Sequence, residues 1–378
     1  MLPTLWVLIL SVWVSYVAGE SFVHSTLRLR HQILYRYLAH SRPEVTSCPT
    51  DRFVVITEYQ FGRTGNLMIE FTNTLWVSEK LNATLIMPPY MPAILSGFDT
   101  HLLSSRFCFR TSDSDIPKSA KIIPVESEMS YFIFRLYQLS EFRTHFPPMT
   151  QAVQELSSYF LSVYAGFWCC PQKSILLAAQ YVIMSNLGGS FEYVSVHKRM
   201  LEGGCSKLLA YVTKPSDYSP SHIPTDHALW QGNLYRNHPM CDMPYEFVQS
   251  IMQSHNKNKS SLYVAHDGQG DVSAFKQHQA VFVNAVDDSP YKAADRKLVD
   301  MLISMHGDLF IQNPRSTYSW QIVLVRLLLA LHSVPIIRNN DFYLQKVPED
   351  LEKEKRVLWV SYYSAMEVLI GSQHAASS

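Results

Sequence analysis

Four short segments carry residue types able to grip a phosphorylated ligand. Val194-Ser195-Val196-His197-Lys198-Arg199, followed by Glu202-Gly203-Gly204-Cys205, delivers a His-x-Arg into a glycine-containing loop. A guanidinium presents five donors in a fixed fork, so Arg199 suits a phosphate; alone, it would suit a surface ion pair equally well. Gly62-Arg63-Thr64-Gly65-Asn66 offers glycines that let backbone approach a ligand, and Asn66 opens a helix whose first N–H groups favour anions. Tyr263-Val264-Ala265-His266-Asp267 is an apolar strand ending in a carboxylate that can accept hydrogen bonds from a base or ribose. In Phe310-Ile311-Gln312-Asn313-Pro314-Arg315-Ser316-Thr317-Tyr318-Ser319, Ser316 or Thr317 is expected to cap the next helix. Cap hydroxyls and helix N–H groups can also hold a phosphate.

Each segment follows an expected strand. Phe53-Val54-Val55-Ile56 is a β-branched run leading into the Gly62 loop, after which Leu67, Phe71, Leu75 and Ser78 recur at helical spacing. Thr84-Leu85-Ile86-Met87 is a further strand closed by Pro88-Pro89. Strand, glycine loop, helix and strand make the unit of a doubly wound sheet, which binds ligands beyond its C-terminal strand ends. Residues 20–50 read as a stem or N-terminal helix, Tyr131–Tyr137 as an aromatic-rich stretch and Ser174–Asn186 as a helix. The chain punctuates at Leu187-Gly188-Gly189-Ser190. Strands are then expected at Tyr193–His197, Ser261–His266, Ala280–Asn284 and Asp308–Ile311, and helices at Tyr245–Asn256, Tyr291–Met305 and Ser316–Leu331. This alternation predicts an α/β protein with two Rossmann-like domains, residues 51–187 and 188–372, facing a central cleft.

The chain has 378 residues, 47% hydrophobic and 17% charged, with 32 Lys+Arg balancing 32 Asp+Glu. That balance argues against a non-specific nucleic-acid binder, and the apolar fraction excludes low-complexity disorder. The apolar stretch Leu5–Ala18 is shorter than the ~20 residues that span a bilayer and matches the ~7–15 of a signal-peptide core. Val17 and Gly19 suit cleavage before Glu20, while Arg28 and Arg30 follow the stretch and no basic residue precedes it. Residues 1–19 are therefore expected to be a signal peptide or an uncleaved membrane anchor, directing the chain to the lumen of the endoplasmic reticulum or Golgi. Sequons at Asn82 and Asn258 accord with N-glycosylation there. The six cysteines, Cys48, Cys108, Cys169, Cys170, Cys205 and Cys241, are expected to form disulfides, with the connectivity open.

In order and spacing the four segments resemble the GDP-fucose-dependent fucosyltransferase superfamily, most closely its protein O-fucosyltransferase branch. The matching residues are Gly62, Arg63, Gly65 and Asn66; His197 and Arg199, with Cys205; Ala265 and Asp267; and Phe310, Ile311, Asn313, Ser316, Thr317 and Ser319. The chain departs from the pattern at His266, where the family often has Thr, and at Gln312, where it has Gly. The resemblance implies a GT-B-like fold and inverting, metal-independent transfer of fucose from GDP-fucose to a hydroxyl. It places the donor on the C-terminal domain, with Asp267 toward the guanosine and Arg63 and Asn66 approaching from the N-terminal side. Arg199, the 316–319 hydroxyls and the helix N-terminus would stabilise charge on the β-phosphate. Gly62, Gly65 and His197 complete the donor contacts, and Arg199, Asn66 and Glu58 are the expected catalytic residues. Glu58 is a candidate base, with Glu202 and Asp242 as alternatives.

No metal or other cofactor is expected. Asp113-Ser114-Asp115 looks like a metal-gripping Asp-x-Asp, but it lies in a Ser/Thr/Pro loop without a flanking strand. Residues 267–271 lack the acidic spacing and terminal Glu of a calcium loop. Glycan-directed α1,2 and α1,6 relatives carry two consecutive arginines after the histidine. Here Lys198 intervenes, which favours a protein Ser/Thr over a glycan hydroxyl as acceptor. An inactive binding protein of the same fold is the alternative outside enzymes.

Overall fold

The computed structural model describes residues 2–57, 64–111, 116–126, 142, 144–147, 149–199, 243–266, 268, 270–313, 316–331 and 333–334. Glu58, Gly62, Arg63, Asp113, Asp115, Tyr131–Tyr137, Glu202, Cys205, Cys241, Asp242 and Asp267 lie outside these residues. The fold is mixed α/β with two parallel sheets. Residues 33–172 form one compact unit, and residues 2–32 with the described chain from Lys173 onward form the other.

In the first unit, β1 (Arg52–Thr57) buries Phe53 and Val54 at the sheet centre. Helix α2 (Thr64–Lys80; α1 is described below) follows it and returns the chain to β2 (Thr84–Ile86), which runs parallel to β1 with Phe53 opposite Thr84. Two short helices, α3 (Met91–Leu95) and α4 (Thr100–Ser104), precede β3 (Phe109–Arg110). The Asp99 carboxylate caps α4 by accepting the Leu102 N–H. Strand β4 (Lys121–Glu126) pairs on the far side of β1, giving the order β3-β2-β1-β4. Helix α5 (Met149–Cys169) brings Phe167 against Phe71 of α2, whose ring also meets Phe109 edge-on. A disulfide joins Cys48 to Cys108 with Cα atoms 5.4 Å apart.

After residues 2–32, the second unit resumes with α6 (Lys173–Asn186). Gly188 and Gly189 then turn with φ of 81° and 68°, a region glycine enters without steric cost. Strand β5 (Val194–Lys198) is central. It is followed by α7 (Tyr245–Ser254), β6 (Leu262–His266), α8 (Ser273–Gln277) and β7 (Val281–Phe282). Next come α9 (Arg296–His306), β8 (Leu309–Ile311), α10 (Thr317–Leu328) and β9 (Ser333–Val334), in the sheet order β7-β6-β5-β8-β9. The strand expected at Ala280–Asn284 is shorter, because a 3₁₀ turn takes over at Val283–Asp288. The helix expected from Tyr291 starts at Arg296, because Asp295 caps it through the Lys297 and Leu298 N–H groups.

Helix α1 (Leu2–Ser41) contains the segment read as a stem. Val23, Leu27, Leu34 and Leu38 fall on one helical stripe and are buried. Arg30 donates to the His306 carbonyl at 2.7 Å, at the negative end of α9, and its guanidinium lies 4.5 Å from the Phe191 ring centre. The His31 and His306 rings sit 5.8 Å apart, and neither Nε2 has a hydrogen-bond partner. Burial, reinforced by Arg30, lowers the His31 pKa to about 4 and carries that of His306 well down too. Among the described residues no helix is long and apolar enough to cross a membrane.

Candidate functional site

In both sheets the first strand is internal, and the chain builds outward on one side before crossing to the other. The order reverses at β1/β4 and at β5/β8. In such sheets the crevice beyond the C-terminal strand ends at the reversal is the ligand site. Beyond β5 stands Arg199; beyond β8 lies the Gln312–Ser319 segment, within which Pro314 and Arg315 are not described.

Alternation along β5 sends its side chains to two different environments. Val194 and Val196 join an apolar cluster with Phe247, Val248 and Ile251 of α7 and Phe275 of α8. Lys198 follows them: it is 1% exposed, donates to the Met243 carbonyl at 3.2 Å and lies over the Phe275 ring. Ser195 and His197 face the other way. The Ser195 hydroxyl donates to the Ser304 carbonyl of α9 at 3.2 Å, helping to fix the strand's height.

His197 meets α10. Its Nδ1 lies 2.8 Å from the Ser319 hydroxyl, and its ring is 4.6 Å from that of Tyr318. Burial, with the Arg199 and His266 charges adding to it, lowers its pKa to about 3, so the imidazole is neutral. The Ser319 hydroxyl also accepts the Asn313 N–H at 3.0 Å, and the Asn313 amide reaches the Arg199 carbonyl at 3.5 Å. Arg199 Nη1 donates to the Ser316 hydroxyl at 3.4 Å. Ser316 occupies the N-cap position of α10 but makes no side-chain cap hydrogen bond, so the expected capping is corrected. A guanidinium competes for the oxygen that a local rule would assign to the helix.

Behind this shell is a group that the sequence reading missed. Asp300 of α9 is buried and accepts the Tyr263 hydroxyl at 2.5 Å. The Tyr318 hydroxyl, which donates to the Lys297 carbonyl at 3.4 Å, and the His266 backbone also lie near enough to favour its charged form. Burial outweighs these and raises its pKa to about 7. Tyr318 thus reaches α9 at the Lys297 carbonyl with its hydroxyl and His197 with its ring. No sequence signal marked it: the structure alone shows that every residue of this helix from Leu298 to His306 is buried.

Comparison with solved structures finds chains similar to this one. An apo form of POFUT1 has 15% identity and a TM-score of 0.46, covering 77% of this chain and 99% of that one. A mutant of Arabidopsis thaliana FUT1 in complex with GDP has 8% identity and a TM-score of 0.40, covering 81% and 78% respectively. The NodZ alpha-1,6-fucosyltransferase soaked with GDP-fucose has 10% identity and a TM-score of 0.34, covering 73% and 92%. No protein-family profile matches the chain. No curated protein sequence matches it either.

Of the residues singled out in sequence, the structure gathers His197, Arg199, Asn313, Ser316 and Ser319 in the second unit. Thr317 is the first residue of α10 and is half-buried. Gly65 and Asn66 stand in the first turn of α2 in the other unit, Gly65 buried and Asn66 half-buried. Asn82 and Asn258 are exposed, each in a turn after a helix. Among the described residues no cluster of three or more His, Cys, Asp or Glu is arranged to hold a metal ion.

Proposed function

We propose that this chain is an inverting fucosyltransferase that moves fucose from GDP-fucose to a Ser/Thr hydroxyl of a protein passing through the secretory pathway. The observation carrying this reading is the meeting of Arg199 with the Ser316 hydroxyl at the N-terminus of α10, where the order of the second sheet reverses. As the bond between the sugar C1 and the phosphate oxygen breaks, negative charge grows on the β-phosphate. A fixed guanidinium and a helix N-terminus meet that charge without a divalent ion, and a preorganised donor acts most strongly in the transition state. His197 is neutral and holds Ser319, which in turn holds the Asn313 N–H, so these two residues are fixed before a ligand arrives.

Asp267 would read the guanosine, and Gly62, Arg63, Gly65 and Asn66 are proposed as further donor contacts. Glu58 is the proposed base for the acceptor hydroxyl, which attacks C1 from the face opposite the phosphate. Lys198 supports the protein-acceptor reading: its ammonium is committed to Met243 and Phe275 and does not stand as a second cation beside Arg199.

Release of GDP and transfer of radiolabelled fucose from GDP-fucose to a panel of folded proteins and glycans test the reading. Arg199→Ala lowers turnover by ~10²–10³ with a smaller effect on donor binding. Arg199→Lys rescues poorly, because an ammonium lacks the bidentate fork. A correctly folded Arg199→Ala protein with more than about a tenth of wild-type turnover, well short of that loss, contradicts the mechanism. GDP binding without transfer to any acceptor would identify a binding protein.

A further inference from the structure

Two adjacent cysteines close helix α5. Cys169 is its last residue and is buried; Cys170 follows in a bend and is half-buried. Their sulfurs lie 3.1 Å apart, with the Cys169 thiol directed at the Cys170 sulfur, and neither is bridged. The backbone around them is held on both sides. The Cys170 carbonyl accepts the Asp99 N–H at 3.1 Å, Gln172 N–H donates to the Gly97 carbonyl at 2.8 Å, and Pro171 bridges Phe98. The expectation that all six cysteines are oxidised is therefore corrected for this pair, which the fold holds as neighbouring thiols.

We propose that Cys169 and Cys170 form a thiol–disulfide exchange site that closes reversibly into a vicinal disulfide when it meets a small-molecule or protein disulfide. Cys170 is the attacking group. It is the more exposed thiol, and the hydrogen bond from Cys169 stabilises its thiolate and lowers its pKa. Its sulfur attacks one sulfur of the incoming disulfide and expels the other half as a thiolate, leaving a mixed disulfide on Cys170. The Cys169 sulfur, with its proton passed to solvent, then attacks the Cys170 sulfur and expels the second half. The two protein thiols are oxidised, and the one incoming disulfide is reduced to two thiols.

Elementary geometry makes the closed form labile. Adjacent Cα atoms across a trans peptide are ~3.8 Å apart, below the ~4.4–6.8 Å usual for a disulfide, and strained bridges are the easily reduced ones. Cys48 and Cys108, at 5.4 Å, lie inside that range and supply an internal standard. The site stands on the two sulfurs and their backbone anchors, independently of the fucosyltransferase reading.

The experiment equilibrates the full-length chain in glutathione buffers from fully reduced to fully oxidised, quenches it with acid and alkylates it under denaturing conditions. Trypsin then releases the peptide from Thr144 to Lys173, whose only cysteines are these two. The expected result is conversion from a doubly alkylated peptide to an unlabelled one whose mass is two hydrogen atoms below that of the reduced, unalkylated peptide. The pair reopens in a less reducing buffer than the Cys48–Cys108 bridge does. Phenylarsine oxide, which needs two neighbouring thiols, labels the reduced wild type at this peptide and spares Cys170→Ser. Double alkylation in every buffer overturns the proposal, as does a bridge from either residue to Cys205 or Cys241, or reopening no earlier than that of Cys48–Cys108.

Discussion

His31 and Asp300 carry opposite pH dependences within one unit, and the contrast can be measured. A histidine that ionises at 6.5 when unfolded and at about 4 in the fold contributes stability that is fully present above the unfolded value. That stability is lost as the pH falls through 6.5, because the unfolded chain takes up a proton that the folded one refuses. Between about pH 7.5 and pH 5, His31 gives up about 2 kcal/mol. Asp300 runs the other way. Its folded value of about 7 lies above the ordinary 3.8, so its burial is unfavourable at neutral pH and is relieved as the carboxyl protonates. Over the same interval it returns about 2 kcal/mol. His197 and His306 add to the histidine side. Urea denaturation of wild type, His31→Leu and Asp300→Asn at the two pH values resolves the contributions, provided the m-values match. His31→Leu removes an imidazole whose Nε2 has no partner, so its loss of stability on acidification shrinks by about 2 kcal/mol. In Asp300→Asn the loss grows by about the same amount. If both variants follow the wild-type pH dependence to within about 0.5 kcal/mol, burial does not govern these groups and the reasoning fails.

At Gly307 an added Cβ would stand 2.7 Å from the Tyr193 ring and 2.9 Å from its carbonyl oxygen. Gly307→Ala therefore destabilises the fold by ~1–3 kcal/mol, read as a lower melting temperature, whereas Gly188→Ser meets no such neighbour and is limited by its φ of 81°. GDP at ~100 times its dissociation constant stabilises the chain by ~2.7 kcal/mol, and EDTA leaves the melting shift in place. Loss of the shift in EDTA would refute metal independence. Protein recovered from the secretory pathway loses mass on peptide-N-glycosidase treatment, and Asn82→Gln and Asn258→Gln each remove one glycan's worth of that change.

Elements whose signal is local were legible in the sequence. The β-branched run at 53–56, the helical spacing of Leu67, Phe71 and Leu75, and the strand ahead of Arg199 all appear where their periodicity put them. Strand β4 was not read, because Pro124 interrupts it and its exposed flank does not alternate. Helix α5 was not read because only its first half carries a polar face, at Gln151, Glu155 and Ser158, while the chain from Tyr159 to Cys169 is almost continuously apolar and marks no period. In the site, the chain order gave the right loops but not their couplings. His197 and Ser319 are 122 residues apart, and only the parallel pairing of β5 with β8 makes them neighbours. Ser316 obeyed the position of a cap but not its bond, since a distant arginine reached the same oxygen. Asp300 was hidden because a carboxylate on a helix normally faces water.

The margins of the two sheets bear on how the molecule behaves in company. A parallel sheet ends in rows of backbone donors and acceptors that can recruit an extended segment of another chain. Among the described residues three of the four margins, β3, β7 and β9, are two residues long, too short to seat a foreign strand. The fourth, β4, is six residues long and half of Ile122 is exposed, yet Pro124 sits at its middle opposite Val55. Having no N–H to give, it breaks the ladder that an incoming strand would need. Replacing Pro124 with valine would complete that ladder and turn a quiet border into a seed for fibrillar association.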